Sequence, residues 1–321
     1  VTFGFALMIA EVAIGRKTRL SAVGAYSALN KRWGFLGKLT SVIPMIILPY
    51  YCVIGGWVIK YLVSFAGGQA GAAAADGYFT SFISKPAEPV FWLALFIALT
   101  AIVVLLGVEK GIEKVSKVLM PVLVLLSVAI AAYTVTLPGA WEGVKYYFTP
   151  DFSKFSPMTV LAALGQLFYS MSLAMGIMIT YGSYMKRDVS LEKSVRQIEW
   201  FDTGIALVAG LMIVPAVFVF TGGDESTLQA GAGLMFQMLP KIFAGIPFGN
   251  VVGVVFFLLV LFAALTSAIS LMETVVSILQ DRFHKSRRWI CGMVAAGCLL
   301  IALPSSLGYG LWESVQILGM S

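Results

Sequence analysis

Apolar residues run along this chain in long blocks separated by short polar or glycine-rich stretches. The blocks fall at about 40–66, 88–107, 119–137, 158–182, 200–220, 250–279 and 288–306. A hydrocarbon core of roughly 30 Å is crossed by about 20 apolar residues of helix. Backbone groups inside that core have no water to bond, so each block must be a helix or belong to a closed barrel. Barrel strands would be about 10 residues long with alternating polarity, and these unbroken runs exclude them. The pattern predicts an all-α polytopic membrane protein. Residues 1–15, VTFGFALMIAEVAIG, are too short to span and read as the latter part of a cut helix. The other end, LGYGLWESVQILGMS, stops as a new apolar stretch begins, so the sequence is expected to be a fragment of a longer protein.

Composition agrees: 59% of residues are hydrophobic, 12% are charged, and mean hydropathy is +0.91. The net charge of +6 is unevenly placed. Loops at 16–38, 108–118, 185–197 and 280–288 hold 17 of the 22 Lys and Arg, the alternate loops hold 4, and Lys60 lies in a span. Lysine- and arginine-rich loops stay in the cytoplasm, which puts those four inside and Val1 on the outer side. The charge is then accounted for by topology and by anionic lipid as a partner, with no nucleic acid implied. Cys52, Cys291 and Cys298 are scattered through apolar spans and read as small buried hydrophobes. A single histidine, His284, rules out a His-rich metal site.

One membrane domain over 1–321 is expected, with no soluble domain. The inner loop RKTRLSAVGAYSALNKRWGFLGK (16–38) mixes apolar and basic residues as an interfacial helix does. The outer loops are short or glycine-rich, and LMFQMLPKIFAGIPFGN (234–250) reads as a helical hairpin at the outer surface.

Polar groups at membrane depth are costly and mark functional sites, and four sets stand out. In GQLFYSMSLAMGIMITYGSY (165–184), Gly165, Gly176 and Gly182 weaken the helix by about 1 kcal/mol each relative to Ala, beside Tyr169, Ser170 and Ser172. In FAALTSAISLME (262–273), Thr266, Ser267 and Ser270 lie near the small residue Ala263, and Thr266 and Ser270 share a face. Such oxygens suit an alkali cation. In ILPYYCVIGGWVI (47–59), Pro49 frees a carbonyl, Gly55 and Gly56 thin the next turn, and Tyr50 and Tyr51 sit within the span. The fourth set is acidic: Asp202, near the start of a span, and Glu11 in the first helix. Each set also has a plain explanation: small-residue packing or serine bonds to the preceding turn for the first two, a tyrosine bonded to a neighbouring helix for the third, and for Asp202 an ordinary place at a helix start near the inner interface. Together they point to an ion-coupled solute site lined by a broken helix, whose exposed N–H and C=O groups hold a zwitterion and a cation.

At these residues the sequence resembles the neurotransmitter:sodium symporter family, whose LeuT-type fold is an inverted repeat of five helices. The likeness runs from EVAIGR (11–16) through GIEKVSK (111–117), LPGA…PDFSK (137–154), the 165–184 stretch and LTSAISLM (265–272). It covers essentially the whole chain, from the family's second helix to its ninth. The resemblance implies about eight transmembrane helices, the first truncated, without the family's first helix or those after the ninth.

The resemblance also implies roles. Tyr51 matches a tyrosine that bonds the substrate carboxylate, and Tyr169 an aromatic lid over the pocket. Ser170 and Ser172 match substrate-binding positions of an unwound helix, Ser170 also binding a first sodium. Met175, Ile47, Leu271 and Ser267 match further pocket positions. Ala263, Thr266 and Ser267 match a second sodium site. Asp202 falls where the family has an asparagine ligand of the first sodium, and its carboxylate would replace chloride. Tyr184 and Asp281 match an inner gate, whose arginine partner would lie upstream, and Tyr169, the lid, is a separate gate residue. The implied activity is sodium-coupled symport of a neutral apolar or aromatic amino acid by alternating access. The coupling ion is Na+ and no chloride is required. The membrane is the plasma membrane, the inner one in a bacterium. The alternative is a sodium- and amino-acid-binding receptor or channel without coupled transport. An enzyme is not expected, because no nucleophile–base pair or metal cluster is visible.

Overall fold

The structure, a computed structural model, describes residues 2–222 and 231–310. Expectations for Val1, for 223–230 of the glycine-rich outer loop and for the apolar stretch at 311–321 lie outside the described residues.

Among the described residues fifteen α-helices follow in order: α1 Thr2–Thr18, α2 Ala22–Leu29, α3 Gly34–Ala66, α4 Ala70–Ala73, α5 Tyr78–Ile83, α6 Glu88–Leu105, α7 Lys114–Val135, α8 Ala140–Phe148, α9 Pro157–Ser170, α10 Ile177–Tyr184, α11 Leu191–Thr221, α12 Gly231–Gly233, α13 Leu239–Gly245, α14 Gly249–Phe283 and α15 Arg287–Leu307. No strand occurs among the described residues. Among the described residues six helical stretches are long and apolar enough to cross a membrane: Lys31–Ala66, Glu88–Leu105, Lys110–Val135, Leu191–Thr221, Gly249–Phe283 and Arg287–Leu307. The two other expected spans differ for identifiable reasons. The first, α1, has 17 residues. The block at 158–182 is divided into α9 and α10, and neither is long enough alone.

The described residues form two compact units: 2–48 with 151–206 and 268–296, and 49–150 with 207–222, 231–267 and 297–310. In the first unit α1 lies along α10. Glycines make this possible, because a Cβ at Gly15 would collide with the carbonyl of Ile179, and one at Gly182 with that of Val12. Met8 and Val12 pack with Met171, Leu173 and Val195, while Ala22 and Ala25 of α2 pack with Ile179. Beyond the end of α1, Arg19 donates to the carbonyls of Ser183 (2.9 Å) and Met185 (2.6 Å), which end α10. A cation at a helix C-terminus satisfies carbonyls that have no partner within the helix.

The second unit is built around aromatic rings. Trp57 meets the edges of Phe79 and Phe236 at centroid distances of 5.2 and 5.7 Å, and Tyr61 donates its hydroxyl to the Phe236 carbonyl at 2.7 Å. Close packing of this kind holds helices together in lipid, where hydrophobic exclusion adds nothing. Gly56 serves it directly, since a Cβ there would stand 2.7 Å from the Leu93 nitrogen of α6. Lys60, the one basic residue expected inside a span, pairs with Glu88 at 2.6 Å. Cys52 of α3 and Cys298 of α15, read from the sequence as scattered, face each other with sulfurs 3.9 Å apart. At the surface, Lys241 beside Asp76 holds its carboxyl below the usual carboxylate range.

Candidate substrate and ion site

The helix expected at 158–182 stops where its serines begin. α9 starts with a capping box, in which Ser156 and Thr159 satisfy each other's backbone N–H groups, and Pro157 occupies the first turn. After Ser170 the chain leaves helical geometry. Ser172 and Ala174 adopt left-handed φ values of 54° and 60°, and Gly176, at 72°, opens α10. A left-handed residue with a Cβ is strained by about 1–2 kcal/mol, so this arrangement persists only because neighbours impose it.

Those neighbours are visible. Met171 N donates to the Leu167 carbonyl at 3.0 Å, Ser172 N to Tyr169 at 3.3 Å and Leu173 N to Phe168 at 2.9 Å, closing the end of α9. Ala174 N donates to Oε1 of Glu11 at 2.7 Å. The acidic residue in the first helix therefore serves the interruption itself. Beyond it, the N–H groups that begin α10 have no acceptor within the helix, and their dipoles favour a negative group nearby.

Ser170, the last residue of α9, donates its hydroxyl to Asp202 of α11. Two expected first-sodium ligands thus come together, and a hydroxyl oxygen with a carboxylate is a donor set of hard oxygens. Tyr169 is exposed, Ser172 half-buried and Met175 9% exposed. Leu271 is buried and Ile47 half-buried. Tyr184 and Asp281 take separate partners: the Tyr184 hydroxyl donates to Oε1 of Glu273 at 2.8 Å, and Oδ2 of Asp281 accepts from Ser21 N at 2.7 Å.

The second unit holds the remaining positions. Thr266 Oγ1 lies 3.0 Å from the carbonyls of both Phe262 and Ala263. The hydroxyl bonds back to its own helix, as the packing explanation requires, yet it also sets a hydroxyl and the Ala263 carbonyl side by side. Ser267 next to it is exposed, and Tyr51 half-buried, whereas Tyr50 is 51% exposed and does not share the interior position expected for both tyrosines. These are oxygen donors throughout. Among the described residues there is no cluster of three or more His, Cys, Asp or Glu that could hold a metal ion.

Missing from the sequence reading was the group around Glu273. This residue has no exposure, and Arg287 grips both its oxygens, with NH1 at 3.1 Å from Oε1 and NH2 on Oε2. The available signal was a lone acid, the last letter of FAALTSAISLME, followed 14 positions later by an arginine at the next helix start.

Residues 77–314 match the model of the sodium:neurotransmitter symporter family. The chain is 35% identical over 327 residues to the sodium-dependent transporter YhdH of Bacillus subtilis, covering 99% of this chain and 71% of that protein. The chain belongs to the sodium:neurotransmitter symporter family. A sodium-dependent transporter of Haemophilus influenzae is 33% identical, with 100% of this chain and 73% of the other covered. Among solved structures, MhsT in complex with L-phenylalanine superposes with a TM-score of 0.88 at 40% identity, over 98% of this chain and 72% of that one. Family membership, with this likeness, establishes a LeuT-type multi-pass membrane protein of a transporter family and sodium as its coupling ion.

Proposed function

We propose that the protein is a symporter that carries a neutral apolar or aromatic amino acid inward across the plasma membrane on a sodium gradient, without chloride. The observation that carries this reading is the interruption at 171–176, with Ser170 hydrogen-bonded to Asp202 at its edge. Main-chain N–H and C=O groups released there suit the carboxylate and ammonium that every α-amino acid shares. No charged side chain occurs among the proposed pocket positions Ile47, Tyr51, Tyr169, Ser170, Ser172, Met175, Ser267 and Leu271, which favours an uncharged cargo. MhsT, seen with L-phenylalanine, supports the aromatic end of that range.

The first sodium is assigned to Ser170 and Asp202, the second to Ala263, Thr266 and Ser267. In this scheme the Asp202 carboxylate supplies the negative charge that balances the cations, which removes the need for an anion. The single membrane domain corresponds to family helices 2 to 9, with the loop at 16–38 inside.

The test is uptake by proteoliposomes of the intact protein, loaded with potassium and diluted into sodium or choline medium, with a panel of labelled amino acids. Sodium-driven, saturable accumulation of an apolar or aromatic amino acid is expected in chloride-free medium. Saturable binding without accumulation would replace the symporter by the receptor reading. Preference for a charged amino acid would overturn the proposed cargo.

A further inference from the structure

Between α2 and α3 the chain makes a single 3-10 turn, Lys31–Trp33, which the transport reading leaves unused. Asn30 pins it by accepting from Arg32 N at 2.9 Å. Lys31, Arg32 and Trp33 are all exposed, and two residues on, Phe35 is 56% exposed with its ring 6.0 Å from that of Trp33. Leu29 and Leu39 beside them are exposed as well. This turn stands where the apolar stretch Lys31–Ala66 begins.

Its charge is uncompensated. From 12 to 75 the sequence holds seven Lys and Arg, six of them in the 16–38 loop, and no Asp or Glu. Arg16 and Arg19 are occupied with backbone carbonyls of 183–189. Among the described residues no carboxylate pairs with Lys31, Arg32 or Lys38. The basic segment 108–118 differs, because Lys117 there is paired with Glu113 at 2.6 Å.

The turn is also rigidly connected to the interrupted helix. α2 sits so close to α3 that a Cβ at Gly37 would meet the Ala22 carbonyl at 2.6 Å. At its other end, Ser21 N is held by Asp281, and the Ala22 Cβ would lie 3.0 Å from a Cβ placed on Gly176.

We propose that the Lys31–Trp33 turn binds the headgroup of a phospholipid of net negative charge in the cytoplasmic leaflet, and that the bound lipid fixes α2 beneath the helix break. Lys31 and Arg32 meet the phosphate, with Lys38 close by in sequence. Trp33 and Phe35 lie at the boundary where amphipathic rings and basic side chains partition together. Anionic lipid attracts such a cluster over a distance of about one Debye length, roughly 8 Å at physiological salt.

The test uses the intact protein in bilayers of phosphatidylcholine with or without phosphatidylglycerol. Each lipid carries, in turn, a photoactivatable group near its headgroup, and thermal stability is recorded in parallel. Expected is a several-fold excess of phosphatidylglycerol label on the peptide containing 29–38, with a higher midpoint of unfolding than in pure phosphatidylcholine. Both effects should be lost in Lys31→Gln/Arg32→Gln and retained in Lys114→Gln/Lys117→Gln, which removes equal charge elsewhere. Equal labelling by the two lipids, equal loss in both double variants, or labelling with no change in stability would each overturn the proposal. None of these readouts depends on transport, so the result stands apart from the symport assay.

Discussion

Arg287, at the first position of α15, closes on both carboxylate oxygens of Glu273, a residue with no solvent exposure nearly three turns from the end of α14. A buried charge left without its partner costs about 3–5 kcal/mol, whereas a pair replaced as a unit by apolar groups can be nearly neutral. Arg287→Met is therefore expected to lower the thermal midpoint sharply, and Glu273→Met/Arg287→Met to recover most of the loss. Thermal unfolding of the two purified variants checks this; equal instability in both would show that the pairing is not the source.

Glu11 holds Ala174 N at 2.7 Å and so fixes the strained part of the interruption. Glu11→Ala leaves a part-buried N–H without its acceptor, at a cost of about 1 kcal/mol. Glu11→Gln keeps an acceptor oxygen and should lose markedly less. Unfolding midpoints give the order, and hydrogen exchange over 171–176 should rise in Glu11→Ala.

Gly176 combines a φ of 72° with a site where a Cβ would be 3.0 Å from that of Ala22. Gly176→Ala adds left-handed strain of about 1–2 kcal/mol together with that close contact. The expected result is a folded protein with a lower midpoint and weaker substrate binding, read by calorimetry. Gly165→Ala, in open space inside α9, should leave substrate binding unchanged and, by removing a helix-interior glycine, raise the midpoint slightly.

Ser170→Ala and Thr266→Val each remove one proposed sodium oxygen. Loss of one ligand at a cost of about 1.4 kcal/mol corresponds to a tenfold weaker ion affinity, so the sodium concentration for half-maximal uptake should rise about that much in each. Unchanged sodium dependence in both would sink the assignment of the two ion sites.

Asp202→Asn removes the negative charge proposed to stand in for chloride. Uptake by this variant should be poor in gluconate medium and restored by chloride, while the parent protein is indifferent to the anion. A parent that itself needs chloride would contradict the assignment.

The interruption was legible because glycines and serines in an apolar run have few other uses, yet its position was not. Of Gly165, Gly176 and Gly182, only Gly176 lies at the break; Gly165 sits inside α9, and Gly182 makes room for Val12. Ser172 and Ala174 take left-handed geometry that neither residue type announces. The Ser170–Asp202 contact was reached through likeness to a family, since 32 residues separate the two. Partners distant in sequence stayed invisible for the same reason: Cys52 with Cys298, Asp281 with Ser21, Glu11 with Ala174. Periodicity reports which way a helix faces lipid and carries no record of which polar atom meets which.

The glycine contacts between α1 and α10 have a mechanical consequence. Where main chain touches main chain there is no rotamer to yield, so the second half of the divided helix cannot slide along its neighbour without a collision. Displacement of Ile177–Tyr184 must drag Thr2–Thr18 with it, and the arginine-capped carbonyls at 183–189 come along as part of the same rigid piece.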